Sequence, residues 1–110
     1  MAAYREVAAG VNFEGHEGSV YTGSYENGAT ALVLSNGNPE RGGEVIAVAS
    51  VNVAGVSENL GDGYIVLKDY SENTGMLDSL ARAGVVEDTG ERVAVGFAVA
   101  PVVRLAGANG

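Results

Sequence analysis

One stretch dominates what this chain can become: Lys68-Asp69-Tyr70-Ser71-Glu72-Asn73-Thr74-Gly75-Met76-Leu77-Asp78-Ser79-Leu80-Ala81-Arg82-Ala83-Gly84-Val85-Val86. It is the one convincing helix in a sequence otherwise made of short strand-like runs and turns, and it is expected over about 72–83. Ser71 is the expected N-cap, since its hydroxyl can accept from a free N–H of the first turn. Asp69 and Asn73 are rival caps, and Asp69 with Glu72 has capping-box spacing. Met76, Leu77, Leu80 and Ala81 recur at helical spacing and form one apolar stripe. Gly84 ends the helix by taking the left-handed conformation, with Val85 packing back on Leu80. Such a helix, about three turns long, is too short to stand alone and must dock on a sheet.

The remainder of the 110 residues suits that role. The length corresponds to one domain, 1–110, with a single modest core. With 17 Gly, two Phe and no Trp, the core must be filled thinly by Val and Ala, which implies a narrow sheet-on-helix interior. Six basic residues stand against 14 acidic ones, a formal net charge of −8. Direct nucleic-acid binding and anionic membranes are excluded on this balance, because phosphate recognition needs clustered Lys and Arg. A basic protein surface is the natural counterpart. Without cysteine there is no disulfide, thiolate nucleophile or thiolate-held metal. The N-terminal Met-Ala-Ala-Tyr-Arg-Glu lacks an apolar signal core, and Ser50 and Asn52 interrupt the longest apolar run, Val45 to Val56. A cytoplasmic protein is expected.

Taken in order, residues 4–13 alternate as a half-buried strand with Val7, Ala9, Val11 and Phe13 on one face. Residues 14–18 turn, and Ser19 to Tyr25 forms a second strand with Tyr21 and Tyr25 on one side. Asn27-Gly28 predicts a hairpin into Ala29–Leu34. Ser35 to Gly43, rich in Asn, Gly and Pro, is the expected mobile excursion. Glu44 to Val56 is the expected longest strand, with Val45, Ala47, Ala49, Val51 and Val53 on one face and Ile46 and Val48 on the other, so that its first half is covered on both sides. Tyr64 to Lys68 feeds the helix. Glu87 to Glu91 turns the chain into a strand from Arg92 to Leu105, where Val93, Val95, Phe97 and Val99 alternate and Pro101 marks a bulge, break or edge. The tail 106–110 is expected to be loose. There is no solenoid repeat and no inner linker. The sum is an α+β fold: a mostly antiparallel curved sheet or small open barrel of about six or seven strands, closed by one helix.

Catalytic constellations are missing from this pattern. His16 is the lone histidine, in a glycine-flanked loop with Glu14 and Glu17, and it lacks the further fixed ligands a divalent ion needs. Any Ser-His-Asp arrangement would have to be built around it. Gly61-Asp62-Gly63 precedes a strand, the reverse of a phosphate-binding loop, and is a turn. No carboxylate pair stands out by spacing. The expectation is a non-enzyme without cofactor or metal.

The acidic residues are more telling. Between Glu58 and Glu91 stand Glu58, Asp62, Asp69, Glu72, Asp78, Glu87, Asp88 and Glu91 against Lys68 and Arg82, a net −6 centred on the helix. Asp69 and Glu72 complement the helix N-terminus, and Asp78–Arg82 is an i,i+4 pair. The others, in turns flanking the same element, are positioned to form a negative face carrying the charge sign of a phosphate backbone.

Within Tyr64 to Leu105, the Lys-Asp-Tyr-Ser-Glu-Asn run is followed by Leu80, Ala83-Gly84-Val85-Val86, Thr89-Gly90, Val95-Gly96-Phe97 and Pro101-Val102-Val103-Arg104-Leu105. This pattern resembles a small bacterial family of unknown function, often encoded on phages, plasmids and integrated elements. The likeness covers somewhat over a third of the chain, and the first sixty residues share only the strand pattern. It implies a small α+β protein of mobile DNA and carries no catalytic residues. Mobile elements are rich in acidic inhibitors of host defence, anti-CRISPR proteins among them. Two functions follow as expectations. The first is an acidic binding protein that blocks a host nucleic-acid-handling complex, a CRISPR effector subunit being one such partner, through the eight acids above. The alternative is a structural or interaction module working through sheet-edge or dimer contacts, supported by the Val-rich C-terminal strands and by Tyr21 and Tyr25.

Overall fold

The structure, a computed structural model, describes residues 4–106. It is α+β, with seven strands, all paired antiparallel, and one short helix. The strands divide into two sheets instead of one curved sheet or open barrel. β1 (Arg5–Phe13), β2 (His16–Ser24), β3 (Thr30–Asn36) and β4 (Glu44–Val48) form a meander in that order. β5 (Tyr64–Val66), β6 (Val86–Val95) and β7 (Ala98–Leu105) form the second sheet, in the order β5-β7-β6.

The turns explain the meander. Phe13 pairs with His16 across Glu14 (φ +52°) and Gly15 (φ +82°), both left-handed as a type I′ hairpin requires. The expected 14–18 loop is therefore only two residues, and β2 starts at His16. Asn27-Gly28 does make a hairpin, through a longer connection in which Gly28 N–H donates to Tyr25 O (2.9 Å) and Tyr25 N–H to Ala29 O (2.8 Å). Tyr25 thus lies in the turn beyond β2. Its hydroxyl is 2.8 Å from Ser50 Oγ and its ring is half-buried, while Tyr21 is buried.

Bulges break the expected alternation. In β1 the register slips between Glu6 and Ala8 and again between Ala8 and Val11, with Gly10 left-handed, and each slip inserts one extra residue. Ala8 then packs on the core and Ala9 is exposed, while Val11 and Phe13 are buried as expected. A further slip opposite Leu34 and Ser35 turns both Ile46 and Ala47 of β4 toward the core. Val45 and Val48 stay exposed, so β4 is not covered on both sides. The 35–43 excursion is stitched down. Asn38 caps a 3-10 turn over Pro39–Arg41, the buried Ser35 hydroxyl donates to Gly37 O (2.7 Å), and Glu44 N–H donates to Asn36 Oδ1 (2.7 Å).

The expected 44–56 strand leaves the first sheet at Val48 and crosses to the second at Ser50. Ala49 N–H still donates to Leu32 O (2.8 Å), but Ser50 bridges Leu67 and Val51 N–H donates to Val66 O (3.0 Å). Ser50 Oγ, almost fully buried, accepts from Leu32 N–H at 2.9 Å. This corner joins the sheets, and every buried side-chain polar atom among the described residues is satisfied there and elsewhere.

Helix α1 spans Met76–Arg82, shorter than expected at its start. Ser71 has φ +54°, incompatible with the extended backbone of an N-cap, and Ser71–Asn73 forms a separate 3-10 turn. Asn73 is not a cap either: it is buried and donates to Val48 O at 2.7 Å. The capping is done from further upstream by Asp69, whose Oδ1 accepts from Gly75 and Leu77 N–H at 3.0 Å each. The C-terminal end is as expected. Gly84 (φ +76°) donates to Ala81 O and Val85 to Leu80 O (2.9 Å), which is a Schellman closure. Met76 and Leu80 are fully buried and Leu77 packs beside them, but Ala81 faces solvent.

These helix residues meet Val11, Phe13, Val20, Leu32 and Leu34 from the first sheet and Ile65, Val86, Val103 and Leu105 from the second. A smaller cluster of Val66, Ala100 and Val102 lies on the second sheet, covered by residues of the 51–60 segment, Tyr70, Val93 and Val95. The expected single strand from Arg92 is instead a hairpin. β6 already includes Glu87–Glu91, and Gly96-Phe97 forms a two-residue turn with Gly96 at φ +60°. Pro101 sits in the central strand opposite a β6 bulge between Asp88 and Arg92, and still accepts from Leu67 N–H. Ala106 N–H is tied to Val85 O (2.8 Å), while the rest of the tail expected to be loose, 107–110, lies outside the described residues. Among those residues, no helix is long and apolar enough to cross a membrane.

Candidate functional site

The eight acids singled out from the sequence separate into three groups. Four are in ion pairs. Glu72 meets Lys68 at 2.6 Å and Asp78 meets Arg82 at 3.1 Å. Asp88 binds both terminal nitrogens of Arg92 at 2.9 Å, and Glu87 pairs with Arg104 across the hairpin. Two are taken up by backbone: Asp69 caps α1, and Glu58 accepts from Gly55 N–H at 2.9 and 3.0 Å. Only Asp62 and Glu91 have neither kind of partner among the described residues. Arg92 and Arg104 lie just beyond the acidic stretch, so eight carboxylates face four cations and the net −6 becomes −4. The N-terminal half carries the other −4, from six acids against Arg5 and Arg41.

The pairs leave their mark on ionisation. The hydrogen bond from Lys68 holds the Glu72 carboxyl below its usual range and raises the Lys68 ammonium. The Arg92 fork, helped by Gly90 N–H, lowers Asp88 in the same way and raises Arg92. These are solvent-screened surface pairs that contribute little to stability. Burial raises the Tyr4 phenol, with Tyr25 and Glu40 adding to it.

Where the fold does gather carboxylates is a recess of about 370 Å³ at the turn end of the β1–β2 hairpin. Glu14 comes from the hairpin turn, Glu44 from the start of β4 and Glu72 from the turn before α1, and His16 lies beside them. Phe13, Val45, Ile46 and Ala47 supply an apolar floor. Glu14 and Glu44 are exposed and make no ion pair. Among the described residues, no three His, Asp or Glu side chains are disposed to hold a metal ion. The geometry instead suits a long cationic side chain, with its methylene stem on the apolar floor and its charge among the carboxylates. Of the three acids only Glu72 was singled out from the sequence, because Glu14 and Glu44 come from the meander and position 72 joins them only where its turn docks through Asn73 on Val48 O.

A larger open groove, about 800 Å³, runs between β1–β2 and the C-terminal end of α1, and Arg5, Glu6, Thr22, Asp62 and Gly84 are among its lining residues. Asp62 therefore faces a mixed polar groove, away from the recess. Neither place holds a nucleophile hydrogen-bonded to a base. Compared with protein-family models, curated proteins and solved structures, the chain matches none.

Proposed function

We propose that this chain is a non-enzymatic acidic binding protein of a mobile element, acting in the cytoplasm on a host nucleic-acid-handling defence complex. It occupies a basic protein surface, such as the groove of a CRISPR effector subunit, and so competes with nucleic acid. The observation that carries this reading is the recess of Glu14, Glu44 and Glu72 over its apolar floor, which fits Lys or Arg side chains from a partner. A net charge of −8 supports it by favouring encounter with basic surfaces. The eight acids first singled out contribute to that field: Glu72 lines the recess although it is paired with Lys68, and Asp62 and Glu91 are uncompensated among the described residues.

The test is competition between this protein and target DNA for a purified effector complex, with the salt concentration varied. Displacement of DNA that fades as salt rises is the expected result. Reversing Glu14, Glu44 and Glu72 to lysine should abolish the displacement. Reversing Glu6, Glu17 and Glu26 makes the same change in net charge away from the three recess acids and should matter much less. Equal losses from the two sets would reduce the effect to net charge, and no displacement by the native chain would refute the reading for that complex.

A further inference from the structure

In the outer half of the β6–β7 hairpin, Val93 and Val95 pack on the smaller cluster, but the opposite face and the tip do nothing visible for the fold. From Val93 to Val103 the sequence holds eleven consecutive residues without a charge, in a chain of net charge −8. Phe97, at the tip, is completely exposed (113 %), and Val99 is 63 % exposed beside it. Ala94 is paired with Val99, so the two share one face, and Ala94 is exposed too.

The strand carrying Ala94 is also an edge. β6 is the outermost strand in the order β5-β7-β6, and among the described residues no backbone group of 93–97 bonds outside the hairpin. Val95 and Ala98 close a two-residue turn, so in the alternating antiparallel pattern the N–H and C=O of Ala94 and Arg92 point away from β7. Edges of this kind are ordinarily guarded by charge, proline or a bulge. The inner half of β6 has two such guards, with Glu87, Asp88, Glu91 and Arg92 around a bulge. Its outer half, Val93 to Val95, has none.

We infer that the outer edge of β6 is a self-association surface, on which a second copy of this chain pairs antiparallel about a two-fold axis at Ala94. The charge pattern selects this occupant. Two chains of net −8 repel over most of their surfaces, and this strip is where they can meet without opposing carboxylates. With Ala94 on the axis, Val93 faces Val95 of the other copy, Arg92 faces Gly96 and Glu91 faces Phe97, so no like charges are opposed. The available area fits a weak contact: Phe97, Val99, Ala94 and the strand edge offer at most roughly 500 Å² per copy, about 1,000 Å² in all, the range of a transient interface. The product is a continuous six-stranded sheet with a weak, reversible contact. This surface is separate from the acidic recess, and salt distinguishes the two. Screening should tighten the homotypic pair, whereas it weakens binding to a basic partner.

Sedimentation velocity over a wide concentration series, at low and high salt, tests the inference on the native chain. A reversible dimer that strengthens with salt is expected. Phe97→Ser should raise its dissociation constant at least about tenfold, since exposed aromatics dominate such contacts. Ala94→Pro removes the outward N–H while leaving the bonds to β7, and should also give monomer, with the circular dichroism of each variant checking the fold. Should Ala94→Pro fail to fold, Val99→Ser replaces it. A native chain that stays monomeric overturns the inference, whether or not it floats with phosphatidylcholine vesicles through the Phe97 tip. A dimer that survives Phe97→Ser and Ala94→Pro (or Val99→Ser in its place) overturns it equally.

Discussion

The β6–β7 hairpin has two unlike halves, and the contrast shows how this small chain separates holding itself together from presenting a surface. At the base, Val86, Val103 and Leu105 are buried with Met76 and Leu80 of α1, and Arg104 and Arg92 pair with Glu87 and Asp88 on the rim. At the tip, Phe97 and Val99 are in water and no charge guards the edge. Similar residue types therefore do different work a few positions apart. Valines near the base are structural, and near the tip Val93 and Val95 still pack on the smaller cluster while Val99 is spare as far as the fold is concerned.

The contrast breaks most easily by truncating one side chain on each side of it. Leu80→Ala, at the centre of the core, should cost about 2–5 kcal/mol in chemical denaturation, because the packed surroundings cannot close over the cavity. Val99→Ala, at the tip, should fall within roughly 0.5 kcal/mol of the native chain, as exposed substitutions do. Comparable losses would show that the tip is structural after all.

Ser50→Ala sharpens the same contrast from the joint between the sheets. It leaves the buried Leu32 N–H without its acceptor and should cost about 1–3 kcal/mol. Amide exchange should quicken around Leu32 and Leu67 while Val95 to Val99 change little; a uniform response would mean that tip and base open as one unit.

The smallest effect expected is from acid. Glu72 and Asp88 are both held below their ordinary ionisation range, so their pairs contribute fully at neutral pH. That contribution is lost as pH falls through the ordinary carboxylate range, about pH 4, and below it, because the unfolded chain takes up protons first. Both sites are exposed, so the drop in melting temperature should be slight. Asp88→Asn should remove its share at the hairpin base, and an unchanged pH profile in that variant would show that the Arg92 pair contributes nothing.

Much of the fold was legible in the residues. The helix was announced by Met76, Leu80 and Gly84, the β2–β3 hairpin by Asn27-Gly28, and the antiparallel α+β class by short turns between alternating runs. Its errors share a cause. Alternation is a local signal, and one extra residue at a bulge changes which side its neighbours face, which is how Ala9 and Val45 reached solvent, while Val48 lies on the exposed face of β4. The early helix start failed for a non-local reason: Asn73 makes its hydrogen bond to Val48, a partner 25 residues away, and Asp69 caps across the intervening turn. The site was less legible still. Arg92 and Arg104 lay outside the acidic window, and only pairing within the second sheet brings Arg104 to Glu87. The recess of Glu14, Glu44 and Glu72 exists only once β1 to β4 are laid side by side and the 71–73 turn is docked on them through Asn73.

The corner at Ser50 divides the molecule in a further sense. Every strand of the first sheet precedes it in the chain, and every strand of the second sheet, with α1, follows it. Yet the main core draws on both sides of that point, and only the smaller cluster of Val66, Ala100 and Val102 belongs to one portion alone. In its topology the chain is a pair of complementary fragments joined end to end, each the other's folding partner. Residues 51–63, which carry the connection, form no strand of either sheet, but residues of 51–60 cover the smaller cluster. Only lengthening at the exposed Gly61-Asp62 turn would leave both sheets and that cover in place. Deleting either fragment would strand the other's apolar face in water.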